Sequence, residues 1–147
     1  MGEAMAEITA ELTEGTTVRL SSERHTWHGD EPRDHGGEDL GPTPYEQLLG
    51  ALAACTCITV SLYCQRKGWR LDNVSVVYRH ERVHADDCEE CEEEDTGFLD
   101  RVHARVFIDG EFDDAQRRRL AEVAVRCPVR KTLDRGISFG DEEVFVA

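Results

Sequence analysis

Two cysteines sit where helices would carry them. Cys55 falls in the middle of the apolar run GPTPYEQLLGALAACTCITVSLYCQRKGW, residues 41 to 69, and Cys127 closes the only other strong helical pattern, with Pro128 directly after it. Two helix-borne thiols in one small chain point to redox chemistry, because a thiolate is both a nucleophile and a reversibly oxidised group. The residues alone leave their geometry open. At about 100° per residue, Cys57 and Cys64 share one side of the first helix while Cys55 points about 160° to 200° away, and only one side can meet Cys127. A buried helical cysteine is also commonly a small inert hydrophobe.

A second constellation, HERVHADDCEECEEE at residues 80 to 94, sets His80, His84, Cys88 and Cys91 in an H-x3-H-x3-C-x2-C array. Such spacing can bind zinc, with His84, Cys88 and Cys91 the favoured ligands. Against this, His80 and His84 fall on an expected strand, where residues four apart are separated by about 13 Å. Seven carboxylates between residues 86 and 94 would also disfavour thiolates and attract cations without selectivity. A solvated acidic hairpin loop is the plainer reading, and a metal-binding or redox-sensing module the sharper one.

The elements that must position these groups follow from periodicity and caps. Residues 6 to 12, 16 to 22 and 24 to 28 read as short strands of an antiparallel meander, with turns at Gly15 and Ser22-Glu23. The polar, Gly- and Pro-rich run from 30 to 42 is a loop. Thr43 as N-cap, Pro44 at the first helical position and Glu46 three residues after Thr43 form a capping box for a helix running to about Arg66, roughly 34 Å long, with Gly68 just past its end. Nearly all of this helix is apolar or small, so burial on most sides is expected, against a sheet and a second subunit. Strands at 71 to 84 and 98 to 110 follow. Asp113 and Gln116 cap a second helix whose Leu120, Val123, Ala124 and Cys127 recur at i, i+3, i+4 and i+7, and residues 137 to 147 read as a last strand.

At 147 residues the chain is the size of one domain that can bury a core without disulfides, so residues 1–147 are read as a single domain. No basic segment precedes an apolar run, and Thr56, Thr59 and Ser61 interrupt the longest apolar stretch, which argues against secretion and membrane spanning. Six cysteines beside long helices fit free or transiently oxidised thiols of the cytoplasm. The net charge of −14, with Lys67 and Lys131 the only lysines among 17 basic residues, would repel phosphate backbones, so nucleic acid is a poor partner. The same balance suits a halophilic cytoplasm, where salt screens charge repulsion.

The order of a strand meander, GG at 36 and 37, GPTPYE at 41 to 46, AAC at 53 to 55, RKGW, and a capped helix leading to CPV at 127 to 129 resembles the OsmC/Ohr family of thiol peroxidases over essentially the whole chain. The resemblance implies an α+β fold with antiparallel sheets packed around two helices in an intertwined homodimer whose sites lie at the subunit interface. It also implies that Cys55 is the peroxidatic nucleophile and Cys127 the resolving thiol. The substrate would be an organic hydroperoxide and the reductant a dithiol, with no bound cofactor. A non-catalytic binder of hydrophobic ligands in the interface cleft is the remaining alternative.

Chemistry asks for such a pair. Attack on the O–O bond leaves a sulfenic acid, and a second thiol must condense with it before more peroxide drives it to sulfinic acid. Lowering a thiol pKa from about 8.5 to about 6 raises its ionised fraction roughly 30-fold, yet a Brønsted slope near 0.45 returns about 13-fold of that. Donors that orient peroxide and stabilise the departing oxygen therefore matter more than the pKa. In the best-described branch of the family, which reads PEQ, a glutamate directly after the proline holds an arginine over the thiolate. Here Tyr45 occupies that place and Glu46 is displaced by about 100° of helix, so Glu46 is a candidate both for a catalytic anchor and for a cap alone. Arg19, Arg24 and Arg33 are the candidate arginines, with Arg33 beside Gly36-Gly37 preferred.

Overall fold

The structure, a computed structural model, describes residues 6–84, 97–140 and 142–147. The chain divides into two compact units, residues 1–50 and 51–147, and the long helix α1, Pro44–Lys67, runs from the first into the second.

In the first unit the meander forms as the alternation predicts: β1 (Thr9–Glu14), β2 (Thr17–Ser21) and β3 (Thr26–Gly29) make an antiparallel sheet in the order β1-β2-β3. Gly15 turns the first hairpin at φ +54, where a side chain would be strained. The loop that follows contains a short 3-10 turn, Arg33–His35, and folds around one carboxylate. Asp30, 3% exposed, accepts hydrogen bonds from the hydroxyls of Thr16 (2.6 Å) and Thr17 (2.9 Å) and from the backbone N–H groups of Glu31, Glu38 and Leu40. These donors, Thr16 first, hold its carboxyl far below the ordinary carboxylate range. The chain closes so tightly here that a Cβ on Gly37 would lie 1.8 Å from the Glu31 carbonyl oxygen, and one on Gly41 2.2 Å from that of His28. Gly37 of the GG pair and Gly41 of the GP pair thus meet a steric demand.

The cap of α1 is as the sequence predicts. The Thr43 N–H donates to Glu46 Oε2 at 2.8 Å and the Glu46 N–H to Thr43 Oγ1 at 3.2 Å. At its other end Gly68 takes φ +67, with Gly68 N–H on the Gln65 carbonyl and Trp69 N–H on that of Cys64, the Schellman arrangement.

In the second unit β4 (Leu71–His84) and β5 (Phe98–Gly110) pair antiparallel from Leu71↔Gly110 to His84↔Phe98. Helix α2, Asp114–Ala124, opens with the Asp113/Gln116 capping box. The core joins Val60 and Cys64 of α1 to Leu120 and Ala124 of α2, with Trp69, Val74, Val106, Ile108 and Phe112 packed around them.

Two expectations are corrected. Helix α2 stops at Ala124, and a third helix, α3, covers Pro128–Arg135, so Cys127 does not end a helix but begins one. Residues 137–147 form no strand among the described residues, and they pair with neither sheet; Phe139 and Phe145 are 84% and 88% exposed. Helix α1 is covered by its own chain on part of its surface. By length and composition it could cross a membrane, yet within the chain it buries one stripe, Leu52, Thr56, Val60 and Cys64, and leaves Ile58 and Leu62 outside.

Candidate active site

Cys127 is the N-cap of α3, with extended backbone (φ −65, ψ 153), and Pro128 takes the first helical position, where its missing N–H is no loss. The N–H groups of the first turn have no partner inside the helix. Two of them point at sulfur: Arg130 N–H donates to Cys127 Sγ at 3.4 Å and Val129 N–H to Cys55 Sγ at 3.5 Å. The start of α3 therefore holds both thiols, and its dipole favours negative charge on either.

The open question of which face of α1 meets Cys127 is answered by these contacts. Cys55, partly buried, lies within hydrogen-bond reach of the Cys127 thiol, which is itself wholly buried. Cys57 donates to the Val74 carbonyl at 3.9 Å, and Cys64 belongs to the core, where burial pushes its thiol up. The four cysteines among the described residues are all free thiols. Burial pushes the Cys55 thiol up as well; the Val129 N–H and then the Thr59 hydroxyl pull against this, while the neighbouring Cys127 adds to it. These neutral dipoles do not reverse the desolvation.

Behind Cys127 stands a pair of hydroxyls. Thr56 Oγ1 is 3.8 Å from Cys127 Sγ and 2.8 Å from the Tyr78 hydroxyl. Sequence reasoning missed Thr56, Tyr78 and the amides of Val129 and Arg130. The signal for α3 was present in CPVRKTLDRG, with Pro at the first helical position and Gly136, at φ +81, just past the end.

The other candidates lie apart from this pair or in the first unit. Glu46 makes both capping-box hydrogen bonds, Arg19 is ion-paired with Glu11 across β1 and β2, Arg24 sits in the β2–β3 turn and Arg33 opens the 3-10 turn. His80 pairs with Asp100 at 2.8 Å, and the His84 ring stands edge-on to Phe98, with centroids 5.3 Å apart. Cys88 and Cys91 lie outside the described residues, and among the described residues no group of three His, Cys, Asp or Glu side chains could hold a metal ion.

An α+β frame that seats two free thiols on one helix start defines a cysteine-pair site. Residues 36–140 match the family described as OsmC-like protein, and the chain belongs to that family. No curated protein matches the sequence. Among solved structures the fold is similar to an OsmC-like protein from Mycoplasma pneumoniae (TM-score 0.69, 21% identity, covering 90% of this chain and 89% of that one). It is also similar to an organic hydroperoxide resistance protein OsmC from Legionella pneumophila (0.61, 18%, 89% and 90%) and to the organic hydroperoxide resistance protein OhrB of Bacillus subtilis (0.56, 18%, 87% and 89%).

Proposed function

We propose that this chain is a thiol-dependent peroxidase that reduces organic hydroperoxides. The observation that carries the reading is the partly accessible Cys55 thiol within reach of the buried Cys127 thiol, both accepting N–H groups from the first turn of α3. In this reaction the Cys55 thiolate attacks the O–O bond, an alcohol departs and Cys55 becomes a sulfenic acid. Cys127 condenses with it, releasing water, and an external dithiol reduces the disulfide. The hydroperoxide resistance proteins among the solved structures support the substrate class. One equivalent of cumene hydroperoxide is expected to produce the Cys55–Cys127 disulfide ahead of every other pairing, read by peptide mass mapping; oxidation of Cys88 and Cys91 with Cys55 left reduced would place the redox centre in the acidic loop.

The family resemblance implies an arginine beside the peroxidatic thiolate, and for that role Arg33 is the preferred candidate, with Glu46 as its anchor. Glu46→Gln keeps the capping hydrogen bonds, so stability should change by at most about 1 kcal/mol. Peroxide reduction should nonetheless fall about tenfold or more, since loss of a charged outer-shell partner commonly has that effect. Activity within twofold of the parent would leave Glu46 a cap only.

The working unit is read as a cytoplasmic homodimer in which residues 1–147 act as one domain. The exposed Ile58 and Leu62 of α1 and the apolar tail with Phe139, Val144 and Phe145 are surface that a second copy would cover. Light scattering of the intact protein in high salt should give the dimer mass, and a folded monomer at micromolar concentration would contradict it.

A further inference from the structure

A thiol that is to attack must first lose its proton, and Cys127 has no exposed surface through which water could take it. Thr56, equally buried, is next to it, and Thr56 in turn meets Tyr78. Tyr78 lines a hollow of about 340 Å³ together with Asp100, Arg101, Arg130 and Leu133. The three groups therefore connect a sealed sulfur to a hollow that water can enter. Thr56 carries one hydroxyl proton and can donate in only one direction at a time. With its proton on Cys127 Sγ, the Thr56 oxygen accepts from Tyr78; reversed, it accepts from the thiol and donates to Tyr78.

We infer that Thr56 and Tyr78 form a hydroxyl relay that carries the Cys127 proton to the hollow as Cys127 attacks oxidised Cys55. The inference rests on the proposed role of Cys127 as the resolving thiol. The Cys127 S–H proton passes to Thr56 Oγ1, the Thr56 proton to the Tyr78 oxygen and the Tyr78 proton to water in the hollow. This leaves a thiolate that accepts hydrogen bonds from Thr56 and from the Arg130 N–H. The thiolate's electron pair forms the S–S bond, and the Cys55 sulfenic oxygen leaves with its own proton and one from solvent as water. Thr56 touches the reacting sulfur; Tyr78 acts through Thr56 and is a positioning residue. Hydrogen-bonded hydroxyls in line polarise one another, so the pair acts as a unit.

Diamide tests this without a peroxidase step: a thiolate adds to its N=N bond, and a second thiol displaces the adduct to give a disulfide and the hydrazine. Rapid acid quenching with peptide mass mapping follows both the Cys55 adduct and its closure onto Cys127. Thr56→Val, which keeps shape and loses the hydroxyl, should slow closure about tenfold or more, a modest share of what positioned proton transfer supplies. Adduct formation should stay within twofold. Tyr78→Phe should slow closure in the same way, and Thr56→Ser should restore it. Closure in Thr56→Val within twofold of the parent, equal slowing of both steps, failure of serine to rescue, or no closure in the parent would each overturn the relay. Repeating the series with cumene hydroperoxide separates the two readings. If diamide gives the expected pattern and peroxide leaves Cys55 untouched, the relay stands and the peroxidase reading falls.

Discussion

With Cys127 replaced by serine, hydroperoxide is expected to be consumed at most twice per subunit, once to the sulfenic and once to the sulfinic acid of Cys55, with no sustained turnover. The serine hydroxyl can still accept the Arg130 N–H as an N-cap, so α3 should keep its start and Val129 should still point its N–H at Cys55. What is lost is the thiol that converts a sulfenic acid into a disulfide. Cys55 should gain about 16 mass units with the first equivalent of peroxide and about 32 with excess, the sulfinic stage from which a dithiol does not recover it. Multiple turnover should drop below about one hundredth of the parent value, while the single-turnover rate on Cys55 stays within a few-fold. Sustained turnover by Cys127→Ser with Cys55 cycling would show that some other group resolves the sulfenic acid.

The second large effect is structural and lies at Asp30. Five donors converge on its two oxygens, so Asp30→Asn would turn an NH2 group toward hydroxyls and amides that are themselves donors. The melting temperature at neutral pH should fall by on the order of 5 °C or more. The sign of the pH dependence follows from the lowered carboxyl. Its contribution is fully present above the ordinary aspartate value of about 3.8, and it is lost only as pH falls below that toward the folded-state value. The gap between parent and variant should therefore be constant from pH 5 to 8 (roughly the range above carboxylate titration) and narrow in acid. Differential calorimetry across pH checks this; a gap that widened in acid would remove Asp30 as the centre of the loop.

Local chemistry made much of the fold legible in the sequence. The Thr43/Glu46 and Asp113/Gln116 capping boxes, Gly68 past the end of α1 and the hairpin of β4 and β5 depend on residues close in sequence and were read correctly from them. The family pattern of GG, GPTPYE, AAC and CPV also lies open in the chain, and residues 36–140 match the OsmC-like family accordingly. Helix periodicity could divide the cysteines into two faces, Cys55 against Cys57 and Cys64.

Tertiary packing decided what lies between distant residues. A helical wheel has no outside, so only the core of Val60, Cys64, Leu120 and Ala124 determines that the Cys64 face turns inward and Cys55 turns to α3. The i, i+3, i+4, i+7 pattern extended α2 to Cys127, but the chain turns after Ala124 and the proline starts a new helix, which converts the cysteine into an N-cap. Residues 137–147 alternate like a strand, yet alternation states only that a segment could pair, and among the described residues neither sheet takes it as a neighbour. The Tyr78–Thr56–Cys127 chain joins residues 22 and 71 positions apart, a juxtaposition that follows from hairpin and helix packing together and from no local motif.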